Sequence, residues 1–316
     1  MENTNTKKKK ESLGLSWKKA FKRDWRLYLL LVFPLVMVFV FNYAAYPGLR
    51  MVFMDYKPAL GYEKSKWVGL DTFRKVFKDK DFHRALRNSL VFNFIELAIS
   101  FPAPIILALI FNELKFPRFK KVNQTILYLP HFLSWIIIAN VAYHLFRPTS
   151  GLVNIVLKNL GLIETGIPFL TEKWHWARTY LLIGVWQSMG WGSIIYLAAI
   201  TNINAELYEA AMIDGAGRWK QIWHITLPGI KSTAIVLLII SLGRVMGSNF
   251  ERLYVFGNTQ VREFQYQLAI YIFEKGLGNA KYSMSTAVGL FQSGVGLILV
   301  LISDRVAKLV GAEGMI

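Results

Sequence analysis

No cysteine occurs among the 316 residues, which excludes a disulfide framework, a thiolate nucleophile and a cysteine-bound metal. Histidine is scarce: five are scattered along the chain without an H-E-x-x-H pair, so no metal site is expected. A phosphate loop of the form G-x-x-x-x-G-K-[ST] is missing too. The nearest string, GAGRWK at 215–220, has neither the spacing nor the Lys-Ser/Thr pair, so this chain is not expected to hydrolyse ATP. Long charged tracts are also rare, with only 18% charged residues against 54% hydrophobic ones. That balance is too apolar for an ordinary soluble domain and fits a chain that crosses a membrane repeatedly.

Six segments are long and apolar enough to be membrane helices: Leu27–Tyr46, Ser89–Phe111, Thr125–Phe146, Tyr180–Ile200, Ile230–Met246 and Ser283–Ile302. The expected class is all-α, a polytopic membrane protein of six transmembrane helices. The net charge of +17 sits largely beside these spans, where basic residues set orientation and meet anionic headgroups rather than nucleic acid. Nine Lys or Arg residues precede the first span, and Lys115, Arg118, Lys120 and Lys121 follow the second. The positive-inside rule therefore places both termini and the connection 201–229 in the cytoplasm of a cell-membrane protein. One loop runs against the rule: Pro47–Asn88 holds ten basic residues against five acidic ones. Its amphipathic part is expected to lie along the outer surface. The chain thus divides into a basic cytoplasmic tail, residues 1–26, and a six-span domain, residues 27–316, with the connection after the second span also cytoplasmic and the connections 47–88, 146–179 and 247–282 outside.

Between the fourth and fifth spans lies AELYEAAMIDGAGRWKQIWHITLPGI, residues Ala205 to Ile230. Good helix formers open it, with Asn204 as a plausible N-cap and Glu206 and Glu209 at the positive end of the helix dipole. Leu207, Ala210, Ala211 and Asp214 fall three and four apart and give a narrow face of mostly small residues. Gly215 and Gly217 permit a sharp turn. A second short helix would expose Trp219, Ile222, Trp223 and Ile225 on its apolar side, and Pro228 suits the first turn of the next span. Such an elbow serves either to pack beneath its own bundle or to receive another protein closely.

The stretch resembles the EAA loop of permease subunits in binding-protein-dependent ABC importers. Glu209, Ala210, Ala211, Gly215, Ile225, Leu227 and Pro228 fill the pattern Glu-Ala-Ala, three residues, Gly, nine residues, Ile, one residue, Leu-Pro. FPAPIILALIFNELK in the second span and TAVGLFQSGVGLILVLISDRVAK near the end look like the carbohydrate branch of these permeases, especially the oligosaccharide type of Gram-positive bacteria. The resemblance implies a type I permease fold whose loop is a coupling helix docked in a cytoplasmic ATPase. Glu209 would engage the ATPase, Gly215 would make the bend, and Ala210 and Ala211 would allow close approach. It also implies a second permease, two ATPase subunits that bind the ATP and Mg, and an extracellular binding protein. This chain would form half of the pathway and hold no cofactor.

Sugar sites combine aromatic platforms with a few polar groups. In the fourth span Trp186, Gln187 and Trp191 are candidates for lining such a path, and Gly184, Ser188 and Gly192 for a packing seam. The same tryptophans also suit an interfacial belt or core packing. Glu96 lies inside the second span three residues after Asn93. A carboxylate there either serves function or pairs with a base elsewhere in the assembly, and Arg244 and Asn249, near the outer end of the fifth span, are candidate partners for it. Either of those two would otherwise meet an acidic sugar. Gln292 in the sixth span is a further path candidate. The segment 247–282 reads as a long exposed outer loop. Two other classes compete. An ion- or proton-coupled secondary transporter would show inverted repeats and several buried ionisable residues, and Glu96 alone speaks for it. A membrane-embedded glycosyltransferase would need an acidic cluster or a D-x-D-like metal site near an interface, and neither is expected.

Overall fold

The structure, a computed structural model, describes residues 3–309 except residue 248, and side chains from residue 19 onward. The side chains of Lys7–Lys10 and Lys18 in the basic tail, and residues 310–316 of the expected membrane domain, lie outside the described residues. The chain forms two compact units, residues 1–51 and 52–316. In the first, helix α1 (Asn3–Val38) continues through a wider turn at Phe39–Tyr43. No break falls at the expected tail boundary, because the polar residues before Leu27 favour helix as well as the apolar ones after it. From Phe21 onward the large apolar side chains of this helix are exposed, as suits a helix facing lipid.

The second unit holds the expected helices in altered form. A short helix α2 (Asp71–Lys78) packs against the start of the last helix through Thr72 and Val76. Helices α3 (Lys80–Ser100) and α4 (Pro102–Glu113) run on as one span across Phe101, since Pro102 sits in a first helical turn where no N–H is missed. The third span is not straight. Helix α5 (Pro117–Tyr128) ends in a tight turn around Pro130, and α6 (Trp135–Phe146) departs at 106°. Pro130 and the N-cap of Ser134, whose hydroxyl accepts from the Ile137 N–H at 3.4 Å, fix that break. Helix α7 (Lys173–Thr201) crosses in one piece. After the elbow comes α10 (Lys231–Gly243), bent 59° from the chain before it, and α13 (Tyr282–Leu309) closes the bundle. Among the described residues four helices are thus long and apolar enough to cross a membrane, or six when each bent pair counts as one span. The all-α expectation holds apart from one antiparallel pairing of Met54–Asp55 with Lys66–Trp67.

The segment 247–282 is not an exposed loop. It folds into α11 (Phe250–Phe256), α12 (Leu268–Phe273) and short turns, and it carries much of the core: Leu253, Phe256, Val261, Leu268 and Tyr271 are fully buried. Side chains from the spans satisfy its backbone. Trp176 Nε1 donates to the Phe256 carbonyl at 2.7 Å, Asn88 Nδ2 to that of Tyr266 at 3.0 Å, and the Leu268 N–H donates to Ser89 Oγ at 2.8 Å. The segment looked like loop because its asparagine caps cut it into helices too short for any span-length pattern.

Asp79 and Asp81 do form a D-x-D spacing, but they are not free for a metal. Lys275 Nζ lies 3.1 Å from Asp79 and 3.2 Å from Asp81, and the Tyr271 hydroxyl donates to Asp79 at 3.0 Å. Burial pushes the Asp79 carboxyl up, yet the Asp81 N–H, Lys275 and Tyr271 together hold it below the usual carboxylate range. Burial pulls Lys275 down, and the same two aspartates more than reverse this. The cluster stays charged near neutrality and clamps the start of α3 to the chain after α12. At the other end of that span Arg218 reaches Glu113 at 3.8 Å, so clamp and elbow lie at opposite ends of the α3–α4 rod.

Close packing of α7 on α5 needs Gly190, where a Cβ would strike the backbone carbonyl of Leu127. Gly190→Val is expected to lower stability by about 1–3 kcal/mol, read as a lower melting temperature of the detergent-purified protein. Gly289→Ala, where a Cβ meets open space, should leave it unchanged. Equal melting of both variants would contradict this packing.

Candidate functional site

The elbow is built as its residues dictate. Helix α8 (Ala205–Ile213) starts at Asn204, whose side-chain oxygen accepts from the Glu206 N–H at 3.1 Å. It ends in a Schellman arrangement: Ala216 N–H bonds to the Ala211 carbonyl at 2.8 Å and Gly215 N–H to that of Met212 at 3.1 Å. Gly215 has φ +74°, the left-handed region that favours glycine, whereas Gly217 has an ordinary extended backbone. One glycine makes the turn, not two. Helix α9 (Arg218–Gln221) then runs through a wider turn at Ile222–Thr226 into Leu227 and Pro228.

No residue of α8 is buried. Glu209, Ala210, Asp214 and Gly215 are exposed, and Ile213 is 87% exposed. The elbow therefore projects from the bundle instead of packing beneath it. Its two limbs are tied by a 3.0 Å hydrogen bond between the Tyr208 and Thr226 hydroxyls and by Gln221 Nε2 donating to the Ala216 carbonyl at 2.8 Å. Ala211, Ala216, Lys220, Gln221, His224 and Ile225 line a notch between them of about 400 Å³. Leu227 packs instead into a small core of Ala108, Tyr196, Ile200 and Ile230, so it joins the elbow to the spans. Pro228 is exposed in the first turn of a short helix. Tyr208 and Gln221 were not singled out in the sequence; nothing in their local pattern marks them.

The candidates in the spans separate into two groups. Gln187 and Trp191 share a face as their spacing predicts. Gln187 Nε2 donates to the His131 carbonyl at 3.4 Å, and the Trp191 ring stacks on His131 with centroids 4.8 Å apart and planes 2° apart. Trp186 points elsewhere, into an apolar groove with Leu133, Ile138, Val141 and Leu182. Of the expected seam, Gly192 lies against Pro104 of α4, while Ser188 bonds back to the Gly184 carbonyl at 2.9 Å.

The second group meets where α10 ends. Asn93 Nδ2 donates to the Val245 carbonyl at 2.6 Å, and Gln292 Nε2 to that of Met246 at 2.8 Å. Gly243 meets Gly296 and Val300 of α13. The irregular stretch 244–247 thus lies level with the middle of α3–α4 and of α13, at mid-membrane depth rather than at the outer end of the fifth span. Asn249 caps α11, its side-chain oxygen accepting from the Arg252 N–H at 3.0 Å.

Glu96 pairs with neither Arg244 nor Asn249. Its partner is Arg252, whose Nη1 lies 2.6 Å from Glu96 Oε1. The same guanidinium donates to the Tyr180 carbonyl, and its side chain is only 4% exposed. It lies 3.7 Å over the Tyr180 ring and 5.1 Å from the Trp135 ring. Gly184 makes the room: a Cβ there would overlap the guanidinium. The sequence hid Arg252 because the fifth span seemed to end at Met246, which left the arginine in an outer loop.

Removing one partner of this pair leaves the other uncompensated, so Glu96→Gln and Arg252→Gln should each cost about 3 kcal/mol or more. The double variant should cost clearly less than their sum in thermal denaturation of the purified protein. Strict additivity would mean the two groups do not interact.

The family described as binding-protein-dependent transport system inner membrane component matches residues 81–311. Protein LplB of Bacillus subtilis is 42% identical over 96% of this chain and 94% of its own length. The polygalacturonan/rhamnogalacturonan transport system permease protein YteP of the same organism is 42% identical over 92% of this chain and 89% of its own. A crystal structure of a bacterial ABC transporter involved in import of the acidic polysaccharide alginate contains a similar chain. The two share 37% identity and a TM-score of 0.81 over 92% of this chain and 98% of that one. A second crystal structure holds the alginate transporter in complex with a periplasmic protein bound to alginate pentasaccharide. Its chain is 36% identical with a TM-score of 0.81, over 94% of this chain and 99% of that one.

Proposed function

The chain belongs to the binding-protein-dependent transport system inner membrane component family, and from that premise we propose that it is half of the pathway of an ATP-driven carbohydrate importer. Its cargo is of oligosaccharide size, in keeping with the polysaccharide cargo named for YteP and for the alginate transporter. The chain itself carries out no chemistry. ATP and Mg are bound by two separate ATPase subunits on the cytoplasmic side, where the elbow and both termini lie. A second permease completes the pathway, and an extracellular binding protein delivers the sugar to the opposite end.

The observation that carries this reading is the projecting elbow: an EAA helix free of its own bundle and closed by a left-handed glycine. Closing an ATPase dimer around two such helices would draw them together. The motion would enter the spans through Leu227 and Ile230, which pack on Ala108 and Ile200. That packing makes the elbow and the spans one mechanical body, and two such bodies biased from both membrane faces form an alternating-access device.

Gly215→Pro replaces a residue at φ +74° by one locked near −65°, and Glu209→Lys reverses an exposed charge on the docking face. Both variants are expected to abolish ATP-dependent uptake by the reconstituted transporter, while the protein still reaches the membrane and the ATPase subunits still hydrolyse ATP. Normal uptake by both would show that the elbow is not the coupling element.

A further inference from the structure

We propose that Arg244 binds a carboxylate of the sugar in transit, so that the cargo is an anionic, uronate-containing oligosaccharide. This inference rests on the carbohydrate reading above and adds the charge of the substrate and the residue that senses it.

Arg244 opens the irregular stretch that follows α10. That stretch is held at mid-membrane depth from two sides, by Asn93 on the Val245 carbonyl and by Gln292 on the Met246 carbonyl. The one carboxylate nearby in the spans, Glu96, is already committed to Arg252. Arg244 is exposed and makes no ion pair among the described residues. An unneutralised guanidinium at such depth is costly unless it faces water or an anion, so its place is an aqueous path rather than lipid. Non-helical backbone at this depth likewise persists only when buried in protein or lining a cavity, and broken helices of this kind border substrate sites in other transporters.

The surroundings suit a sugar. A cavity of about 400 Å³ opens on the same stretch at Gly247 and is bordered by Phe250, Phe273, Tyr282, Ser285 and Gln292. The Phe250 and Phe273 rings lie 4.8 Å apart, and exposed Tyr254 stands 5.4 Å from Phe250. Aromatic faces of this kind accept the apolar side of a pyranose ring. Asn93, Glu96 and Gln292 have their polar ends committed to scaffold bonds, which leaves Arg244 to add charge selectivity. Its planar fork matches a carboxylate with two parallel hydrogen bonds. A neutral sugar would leave the guanidinium hydrated and gain nothing from it.

The test is import by the complete transporter in proteoliposomes, with binding protein and ATPase subunits. Galacturonate and mannuronate trisaccharides would be compared with their carboxyl-reduced, uncharged counterparts. The wild type should import a uronate in preference to its reduced form. Arg244→Gln should lower that preference about tenfold or more, the scale of one charge-assisted hydrogen bond, and Arg244→Lys should retain part of it. Equal loss of charged and neutral import in Arg244→Gln would make Arg244 a structural group, for instance the partner of an acid on the second permease, and would overturn the proposal. Wild-type preference for the reduced sugars would overturn it without any variant. ATP-driven import of neutral sugars that ignores the Arg244 substitutions sinks this inference but leaves the importer reading standing. Absence of import of any carbohydrate would sink the importer reading itself.

Discussion

The need to satisfy backbone polar groups away from water governs the second unit of this structure. A straight helix meets that need by itself, but residues 244–282 are a chain of turns and short helices set among the spans. Every freed carbonyl or amide there requires a donor or acceptor from a neighbour, because lipid offers none. The spans supply them at specific positions: Asn88, Ser89 and Asn93 from α3, Trp176 from α7 and Gln292 from α13. Polar residues inside apolar helices are usually read as pathway groups. Here most are structural, and they hold an irregular segment at the depth where a pathway has to be.

Arg252 is the firmest of these anchors. Its guanidinium binds a carboxylate from α3 and a carbonyl from α7, and lies over aromatic rings from α6 and α7. Four elements are joined through one side chain carried by a helix of seven residues. The arrangement also neutralises Glu96, and this removes the single feature that had favoured an ion-coupled transporter.

How legible this was in the sequence varied with the range of the interaction. The elbow's outline was readable, because its N-cap at Asn204, its turn at Gly215 and its exposed EAA face arise from residues within a few positions of one another, but the ties of Tyr208 and Gln221 across it were not. The straight spans were readable from their apolar length. The bend after Pro130 and the end of α10 at Gly243 were not, since a 20-residue apolar window looks the same whether its helix is continuous or broken. Least legible was the pairing of Glu96 with Arg252, which are 156 residues apart. Hydropathy had placed one in lipid and the other in water. Gly184 could have hinted at it, yet a glycine every fourth residue reads equally well as a helix seam.

The two ends of the molecule are linked through the same few helices, and this bears on how an importer works. Helix α10 begins at Lys231, directly after Ile230 in the elbow-side core, and ends at the mid-depth break. Helix α7 carries Ile200 and Tyr196 in that core and Gly184 against Arg252. A displacement of the elbow therefore acts on both rods at one end and is felt at their other reference points, the break and the ion pair. Packed helices transmit such a shift with little loss because protein interiors have few voids to absorb it. At the break the chain leaves the α-helix through tighter turns, with the Arg244, Val245 and Gly247 N–H groups bonded to the carbonyls of Ser241, Leu242 and Arg244, and two amide side chains from neighbouring spans hold the carbonyls of Val245 and Met246. On the proposed reading, an elbow that moves rigid rods around a polar break would need no titrating group of its own: a separate ATPase would supply the free energy, and the spans would only have to convert closure at one face into opening at the other.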